Sequence, residues 1–271
     1  MVLEFIKSKY ILKKIFGNLQ KKKFLEIIKY NQQIKKRINL KVSDYKSCSD
    51  IEIEITPAKN IKSKFININK KERIYYHIFF NDNEDEVKKT SLWKMDKEIT
   101  KIKIIIDYQV ESFKGLFNNI RCIESINFKK FKRNNINNMK NMFSKCSSLK
   151  EINFSDFDTI NVNDMSYMFF NCPLIKELDL SNFNTNNVKY MNYMFYGCSS
   201  LEKINVSGFN TENVKYMNGM FLGCSSLKEL NISHFNFSNV IDISSMFFKC
   251  SDELEKKVKN QVRKIYCKAF V

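Results

Sequence analysis

The chain contains the stretch YMNYMFYGCSSLEKINVSGFNTENVK (Tyr190–Lys215), and the next 26 residues repeat it with few changes as YMNGMFLGCSSLKELNISHFNFSNVI (Tyr216–Ile241). The period extends in both directions, because five cysteines lie 26 residues apart. They are Cys146, Cys172, Cys198, Cys224 and Cys250. Columns of Met, Phe and Leu or Ile keep the same step, which is typical of a stacked repeat architecture.

Each unit reads as one short helix followed by one strand. Apolar residues of one copy fall at helical spacing, namely Val188, Met191, Met194, Phe195 and Cys198. Thr185 or Asn186 is available to cap that helix. The following LEKINVS alternates apolar and polar residues, which predicts a half-buried strand. Successive strands are therefore expected to lie parallel, with helical segments on the opposite side.

A single unit of 26 residues buries too little apolar surface to fold alone, so the units are expected to stack and to need caps at both ends. Stacking brings the five cysteines into one column. We expect buried, reduced thiols, which suit a reducing compartment. Disulfides between units and a zinc site are the alternatives; side-by-side Cβ directions disfavour the first, and the lack of C-x₂-C pairs disfavours the second.

The repeated LxxLxL core, seen as LKELNISHFN and IKELDLSNFN, resembles leucine-rich repeats. The full unit MFxxCSSLxxLxLSxFNTxNVxxM resembles the BspA-like repeats first associated with bacterial and protist surface proteins. The resemblance covers residues 110–250 and implies an α/β solenoid of leucine-rich-repeat type. Solenoids of this type are usually protein-binding scaffolds, although a fold does not fix its partner.

The polar side of the predicted strands is the candidate partner-binding surface. Its residues are Glu151, Asn153, Glu177, Asp179, Lys203, Asn205, Glu229 and Asn231. Leucine-rich repeats commonly bind partners on this side, and its acidic and amide groups suit a polar or basic protein surface. A solvated sheet face without a partner is the alternative interpretation of the same residue types.

Of the net charge of +17, +10 lies at the front of the chain and none of it in the repeats. Met1–Lys46 holds thirteen Lys or Arg against three acidic residues, whereas Met139–Cys250 holds nine against ten. Apolar stripes within residues 8–40 predict a small helical hairpin that resembles a degenerate F-box. The matching residues proposed to bind a Skp-type adaptor are Ile11, Leu12, Ile15, Phe16 and Leu19. An ordinary basic helical hairpin is the alternative.

Four domains follow from these patterns: a basic helical segment (1–46), a β-rich cap (47–109), the repeats (110–250) and a capping helix (251–271). Strands of the cap are predicted at Ile51–Ile55, Lys64–Ile68, Arg73–Phe80 and Ile99–Tyr108, with an exposed loop at Asn81–Lys89. In the last segment, Asp252 and Glu255 suggest a capping box. Its apolar stripe is Leu254, Val258, Val262 and Ile265.

No phosphate loop, nucleophile elbow or metal-ligand motif is present in the sequence, so we expect a protein that is not an enzyme, with no cofactor and no metal. His77 and His234 lie far apart and without a partner motif. The expected function is an intracellular, cytoplasmic protein-binding scaffold, extending to a ubiquitin-ligase substrate receptor. The alternative is a surface or membrane-associated adhesin, and the front of the chain leaves contact with a membrane surface open. Nucleic-acid binding ranks third because no recognition module is visible.

Overall fold

The computed structural model describes residues 50–59, 63–93, 96, 98–107, 109–131, 134–154, 157–261 and 269, all within one compact unit, Asp50–Val271. The predicted helical hairpin, including Ile11, Leu12, Ile15, Phe16 and Leu19, lies outside the described residues. The described part is mixed α/β, as predicted. A five-stranded sheet has the order β2-β3-β1-β4-β5, and a second sheet pairs β6 with β7.

Seven strands and one α-helix are found in the described part of the chain. The strands are β1 (Ile51–Pro57), β2 (Tyr76–Phe80), β3 (Ile102–Ile106), β4 (Ile123–Phe131), β5 (Glu151–Asn153), β6 (Glu177–Asp179) and β7 (Lys203–Asn205), and the helix is α1 (Asp252–Gln261). A single 3₁₀ turn, Arg73–Tyr75, precedes β2. Strands β5, β6 and β7 are only three residues long.

The cap sheet joins the repeats through β4. Strand β1 lies antiparallel between β3 and β4, while β4 pairs in parallel with β5, the first strand of the cysteine-containing repeats. Apolar and acidic residues alternate along β1, which suits a strand with one face on the core. Ile51, Ile53 and Ile55 are buried, while the two glutamates between them lie on the other face. Glu52 pairs with Lys130 at 2.9 Å across the strands.

Three of the four predicted cap strands are found, and Lys64–Ile68 is the exception. Lys64 makes one isolated bridge to Ser91, and no strand follows it. Asn67 instead bonds residues 115–118, which belong to the segment that precedes β4 and the five-cysteine column. Its backbone N–H donates to Leu116 O at 2.8 Å, and its side-chain amide donates to Gly115 O and Asn118 O at 3.1 and 2.8 Å. The segment therefore satisfies carbonyls that have no preceding unit to bond them.

The short helix predicted in each repeat is wrong, although its buried residues are right. Met194, Phe195 and Cys198 are fully buried, but the chain runs through consecutive turns. Met194 N–H donates back to Met191 O at 3.3 Å, whereas Phe195 N–H donates to Met220 O of the next unit at 2.8 Å. Because alternate N–H groups bond the neighbouring unit, the i−4 bonds of an α-helix do not form.

Two residues in each of these turn segments adopt left-handed backbone. In the third copy they are Tyr193 (φ 55°) and Gly197 (φ 68°). Each occupies the third position of a four-residue turn, where a positive φ defines a type II geometry. Gly219 and Gly223 hold the same two places in the next copy, with φ of 60° and 76°. The spacing of these turns is close enough to a helical period to place the same side chains inward.

The interior consists of side-chain ladders that run along the stack. One column of buried phenylalanines has ring centroids 5.2 to 5.7 Å apart, all stacked: Phe117, Phe143, Phe169, Phe195, Phe221 and Phe247. The turn segments are joined by parallel bridges, such as Tyr190 to Tyr216, at the same 26-residue step. Neighbouring units thus complete one another's core, as expected for stacked repeats.

A ladder of threonines and one of asparagines hold successive loops together. Thr185 is not a helix cap: its buried hydroxyl donates to Asn210 O and accepts from Asn210 N–H, both at 2.8 Å. Asn187 Nδ2 donates to Ile160 O of the preceding unit at 2.6 Å. In these loops no strand pairs with the backbone, so the side chains hydrogen-bond the backbone N–H and C=O groups instead.

Substitution of Thr185 by Val should lower the free energy of unfolding by about 2 to 4 kcal/mol. The change keeps the shape but removes both hydrogen bonds of the buried Thr185 hydroxyl, so the N–H and carbonyl of Asn210 lose this partner at a part-buried place, and each unsatisfied group costs about 1 to 3 kcal/mol. Urea unfolding measures the loss. Thr185→Ser is the matched control, because it keeps the hydroxyl; equal losses in both variants would contradict the hydrogen-bond argument.

Helix α1 closes the last repeat, as predicted, but a different residue from the predicted one bonds its first turn. Ser251 rather than Asp252 caps the helix, since its Oγ accepts from Leu254 N–H at 3.2 Å. Leu254 and Val258 are fully buried, and the other two stripe residues, Val262 and Ile265, lie outside the described residues.

The strand predicted at residues 229–231 does not form, and the end of α1 takes over the edge of the stack there. Gln261 accepts from Ile232 N–H at 2.9 Å and donates to Leu230 O at 2.8 Å. One side-chain amide therefore replaces the neighbouring strand that the final repeat lacks. Bonding of this kind protects an otherwise open sheet edge.

Candidate functional site

The strand face is the surface formed by the eight predicted partner-binding residues, and all eight are exposed. They are Glu151, Asn153, Glu177, Asp179, Lys203, Asn205, Glu229 and Asn231. The parallel register places Glu177 opposite Lys203 and Asp179 opposite Asn205. Strands β5, β6 and β7 carry six of these side chains at equivalent positions, and Glu229 and Asn231 lie at the same places in the next repeat, which has no strand there.

Charged residues on and beside the strand face pair across neighbouring units. Lys203 Nζ lies 2.8 Å from Glu177 Oε1, and Lys150 Nζ lies 2.7 Å from Glu124 Oε1. The carboxylate of Glu177 raises the pKa of the Lys203 ammonium. Both side chains of the Lys203 pair are largely exposed, so the pair adds little to stability and leaves its polar atoms accessible to a partner.

The order of the two charges along the chain is not constant. Three copies read Lys then Glu, at 150–151, 176–177 and 228–229, and the copy between the last two reads Glu202 then Lys203. Lys203 consequently lies in a column between Glu177 and Glu229, and Glu202 in a column between two lysines. This inversion gives the face a charge pattern that varies along the stack.

The amide and aspartate column of the strand face has a second, structural role. Asp179 Oδ1 accepts from Ser181 N–H at 3.0 Å, and Asn205 and Asn231 bond the N–H two residues on in the same way. Hydrogen bonds from Ser181 lower the pKa of Asp179. These side chains form Asx turns at the ends of the strands. The glutamate and lysine column is therefore the freer part of the predicted site.

Two grooves lie at equivalent places on this face. One of about 520 Å³ is lined by Lys150, Glu151, Leu174, Lys176, Glu177 and Ser200. The other, of about 700 Å³, is lined by Glu202, Lys203, Ile204, Ser225, Ser226, Lys228 and Glu229. Both follow the charged columns, so the polar side chains border depressions rather than a flat sheet.

The cysteine column is buried and its thiols are free. Cys146, Cys172, Cys198 and Cys224 are completely buried, while Cys250 at the end is partly exposed. Each thiol donates to the carbonyl of a phenylalanine 29 residues earlier, for example Cys198 Sγ to Phe169 O at 3.2 Å. Burial raises the pKa of the Cys198 thiol to about 12. The thiolate is the reactive form, so these sulfur atoms are packing groups rather than poised nucleophiles.

The two histidines have partners that the sequence did not reveal. His77 lies between two carboxylates, with Nδ1 3.3 Å from Glu86 and Nε2 3.4 Å from Asp107. His234 Nε2 is 3.1 Å from Val206 O. The partners of His77 come from a loop and from the end of β3, so no local sequence pattern links them. His234 thus contacts a carbonyl of the preceding repeat. Asn182, at the equivalent position two repeats earlier, makes the same kind of bond by donating to Phe154 O.

Within the described residues, no helix is long and apolar enough to cross a membrane. No group of three or more His, Cys, Asp or Glu side chains in the described part of the chain is arranged to hold a metal ion. No curated protein matches the chain, and no solved structure does. The family model described as "Mycoplasma protein of unknown function, DUF285" matches residues 76–176, 111–205 and 174–265. These overlapping matches cover residues 76–265, which include the cap from β2 onward, the repeats and all of α1, and the chain belongs to this family.

Proposed function

We propose that the protein is a non-enzymatic scaffold that binds a protein partner on the strand face. The exposed, unit-by-unit variation of Glu177, Lys203 and Glu229 supports the proposal most directly. Core columns keep the same residue types from copy to copy, whereas these positions change charge. A surface of this kind supplies specificity through charge complementarity.

The finer architecture proposed is a leucine-rich-repeat-type solenoid with BspA-like units. The parallel bridges at a 26-residue step and the side-chain ladders support it. The partner proposed is a polar surface with basic groups, because Glu151, Glu177, Asp179 and Glu229 outnumber the lysines of the same columns. The grooves beside Lys176 and Lys228 would each take an extended side chain of that partner.

We further propose that the protein acts inside the cell. The raised pKa of the buried thiols and their hydrogen bonds to backbone carbonyls suit a compartment that keeps cysteines reduced. The ligase part of the hypothesis depends on residues 8–40, where Leu12 and Phe16 would contact a Skp-type adaptor. That part extends the scaffold proposal and does not follow from the described residues.

Exchange of two charges tests the strand face. The double variant Glu177→Lys/Lys203→Glu keeps the net charge and restores an ion pair of opposite direction, so folding should be unchanged. We expect proteins recovered with the tagged full chain to fall at least about tenfold, since reversed charges oppose a complementary surface. Quantitative mass spectrometry of affinity-purified lysate measures the recovery.

The matched control exchanges an exposed ion pair of the cap, Asp82→Lys/Lys101→Glu, whose atoms lie 2.7 Å apart. A partner that is lost from the strand-face exchange and kept by the cap exchange supports the proposal. Equal recovery with both baits contradicts it. Recovery of a Skp-type adaptor by wild type but not by Leu12→Asp/Phe16→Asp would support the ligase part, and its absence from the wild-type bait would remove that part alone.

A further inference from the structure

The surface of the repeats is electrically polarised. We define the turn surface as the outward side chains of residues 135–147, 161–173, 187–199, 213–225 and 239–251, which are the turn segments of the five units. It carries five lysines and two aspartates, whereas the segments 150–153, 176–179, 202–205 and 228–231 of the strand face carry four lysines and five acidic residues. Lys145, Lys189, Lys215 and Lys249 are all exposed.

The two aspartates of the turn surface are turned toward the backbone. Asp164 Oδ1 accepts from Ser166 N–H at 2.9 Å, and Asp242 Oδ1 accepts from Ser244 N–H at 2.9 Å. Lys140 Nζ also lies 4.0 Å from Asp164. Their negative charge is thus engaged within their own turns, while the lysines extend outward. The turn surface therefore presents a net positive field.

Aromatic rings lie among these lysines. Tyr167 stacks on Tyr193 at 5.1 Å, and Phe170 stacks on Tyr196 at 4.6 Å, with further ring contacts of 5.5 and 6.0 Å that join the four into one cluster. All four rings are partly exposed. A further pair, Tyr190 and Tyr216, stacks at 5.5 Å. The turn surface is therefore aromatic as well as basic.

Stacking covers at least one face of each of these six rings. Tyr193 lies between Tyr167 on one side and Gly219 on the other, where a Cβ would come within 2.4 Å of its ring. A base or a sugar needs an open ring face for stacking, and this arrangement offers few. Ring edges carry partial positive charge, which adds to the field of the lysines.

Two exposed apolar side chains lie at the end of the turn surface. Ile241 is 67% exposed and Phe248 is 40% exposed, and Ile241 continues the column of Lys189 and Lys215. Lys249 Nζ lies 5.6 Å from the Phe248 ring centroid. Apolar groups beside lysines and tyrosines form the composition that proteins use at the boundary between lipid headgroups and acyl chains.

We propose that the turn surface binds an anionic lipid bilayer. The lysines would pair with lipid headgroups, the tyrosines would lie at headgroup depth, and Ile241 and Phe248 would enter the acyl boundary. A second copy is disfavoured because two basic turn surfaces repel each other. An acidic protein is disfavoured because lysine is depleted in the cores of protein interfaces, whereas here lysines are interspersed with the rings along the whole surface.

Co-sedimentation of the full chain with two kinds of vesicle tests the proposal. One is phosphatidylcholine alone, and the other is an equimolar mixture of phosphatidylcholine and phosphatidylserine. We expect binding to the anionic vesicles that weakens as salt is added, because salt screens the attraction between the lysines and the anionic headgroups. Equal binding to the neutral vesicles would overturn the proposal.

Two triple variants of equal net charge separate the turn surface from charge in general. Lys189→Gln/Lys215→Gln/Lys249→Gln should weaken anionic-vesicle binding at least about tenfold. Lys150→Gln/Lys176→Gln/Lys228→Gln removes as many lysines from the strand side and should bind as wild type. Equal affinities of the two variants would show that the basic front of the chain, not the turn surface, carries binding, and would overturn the proposal.

The apolar contribution has its own matched pair. Ile241→Ser/Phe248→Ser should weaken vesicle binding, whereas Ile160→Ser/Leu174→Ser, which changes two exposed apolar residues away from the turn-surface end, should not. Soluble poly-glutamate tests the alternative that the turn surface binds an acidic polymer instead of lipid. If it binds the chain with the same dependence on Lys189, Lys215 and Lys249, and displaces the chain from vesicles, the turn surface recognises an acidic polymer and the lipid proposal is wrong.

Discussion

The free energy of unfolding should fall steeply when the pH rises above 9, because the buried thiols cannot ionise until the chain unfolds. Burial raises the pKa of Cys146, Cys198 and Cys250 from 9.0 to about 12, and it raises the pKa of Cys172 and Cys224 well above 9.0. In the unfolded chain these thiols lose their protons near pH 9. Between about pH 9 and pH 12, the thiols of the folded chain therefore keep protons that the thiols of the unfolded chain have lost.

The sign follows from this difference in bound protons. The unfolded state binds fewer protons above pH 9, so raising the pH favours it, and the stability present below pH 9 is lost as the pH approaches 12. Each thiol contributes a little over 1 kcal/mol per pH unit once its unfolded form is ionised. Five thiols would remove roughly 5 kcal/mol within the first pH unit, which is comparable with the whole stability of a typical domain.

Urea unfolding at a series of pH values, with reductant present, measures the slope. The double variant Cys198→Ala/Cys224→Ala should reduce the thiol contribution to that slope by about two fifths, although packing losses lower its absolute stability. Met194→Ala is the matched control, because it opens a similar buried space without removing a thiol. If the cysteine variant kept the wild-type slope, ionisation of the column would not be the cause.

The repeat period predicted which residues are buried but not how the chain turns between them. Inward columns such as Met194 and Phe195 could be found because identical positions in every copy share one environment. The conformation was missed because apolar residues three or four apart suit both a helix and consecutive type II turns. Glycines at residues 219 and 223 were the available sign of turns. All five units have a positive φ at these two positions, and glycine adopts that conformation most easily.

The strand face could be predicted because an alternating strand exposes every second side chain. The turn surface could not, because the apolar stripe marks Met194 as inward but does not show which outward side chains, such as Tyr193, come together from neighbouring units. The bonds between the turn segments, such as that from Phe195 N–H to Met220 O, set that arrangement. The pairing of His77 with Glu86 and Asp107 was beyond reach for a similar reason, since it depends on which strands are neighbours.

Substitution of Phe169 by Ala should cost about 3 to 5 kcal/mol of unfolding free energy. The ring is completely buried and stacks on Phe143 at 5.3 Å and on Phe195 at 5.6 Å, so its removal opens a cavity between three consecutive units. The two neighbouring rings are fixed by their own backbone ladders and cannot close the gap without breaking bonds between units. The lost stacking therefore adds to the lost burial.

The adjacent residue provides the control. Phe170 belongs to the turn surface, is partly exposed and stacks on Tyr196 at 4.6 Å, so Phe170→Ala should cost only roughly 1 kcal/mol. Chemical denaturation of both variants measures the difference, and an unchanged dependence on denaturant would show that the stack still unfolds as one unit. Similar losses from the two substitutions would mean that the ladder of buried rings does not bind the units together, since neighbours in sequence differ here only in the side of the turn to which they point.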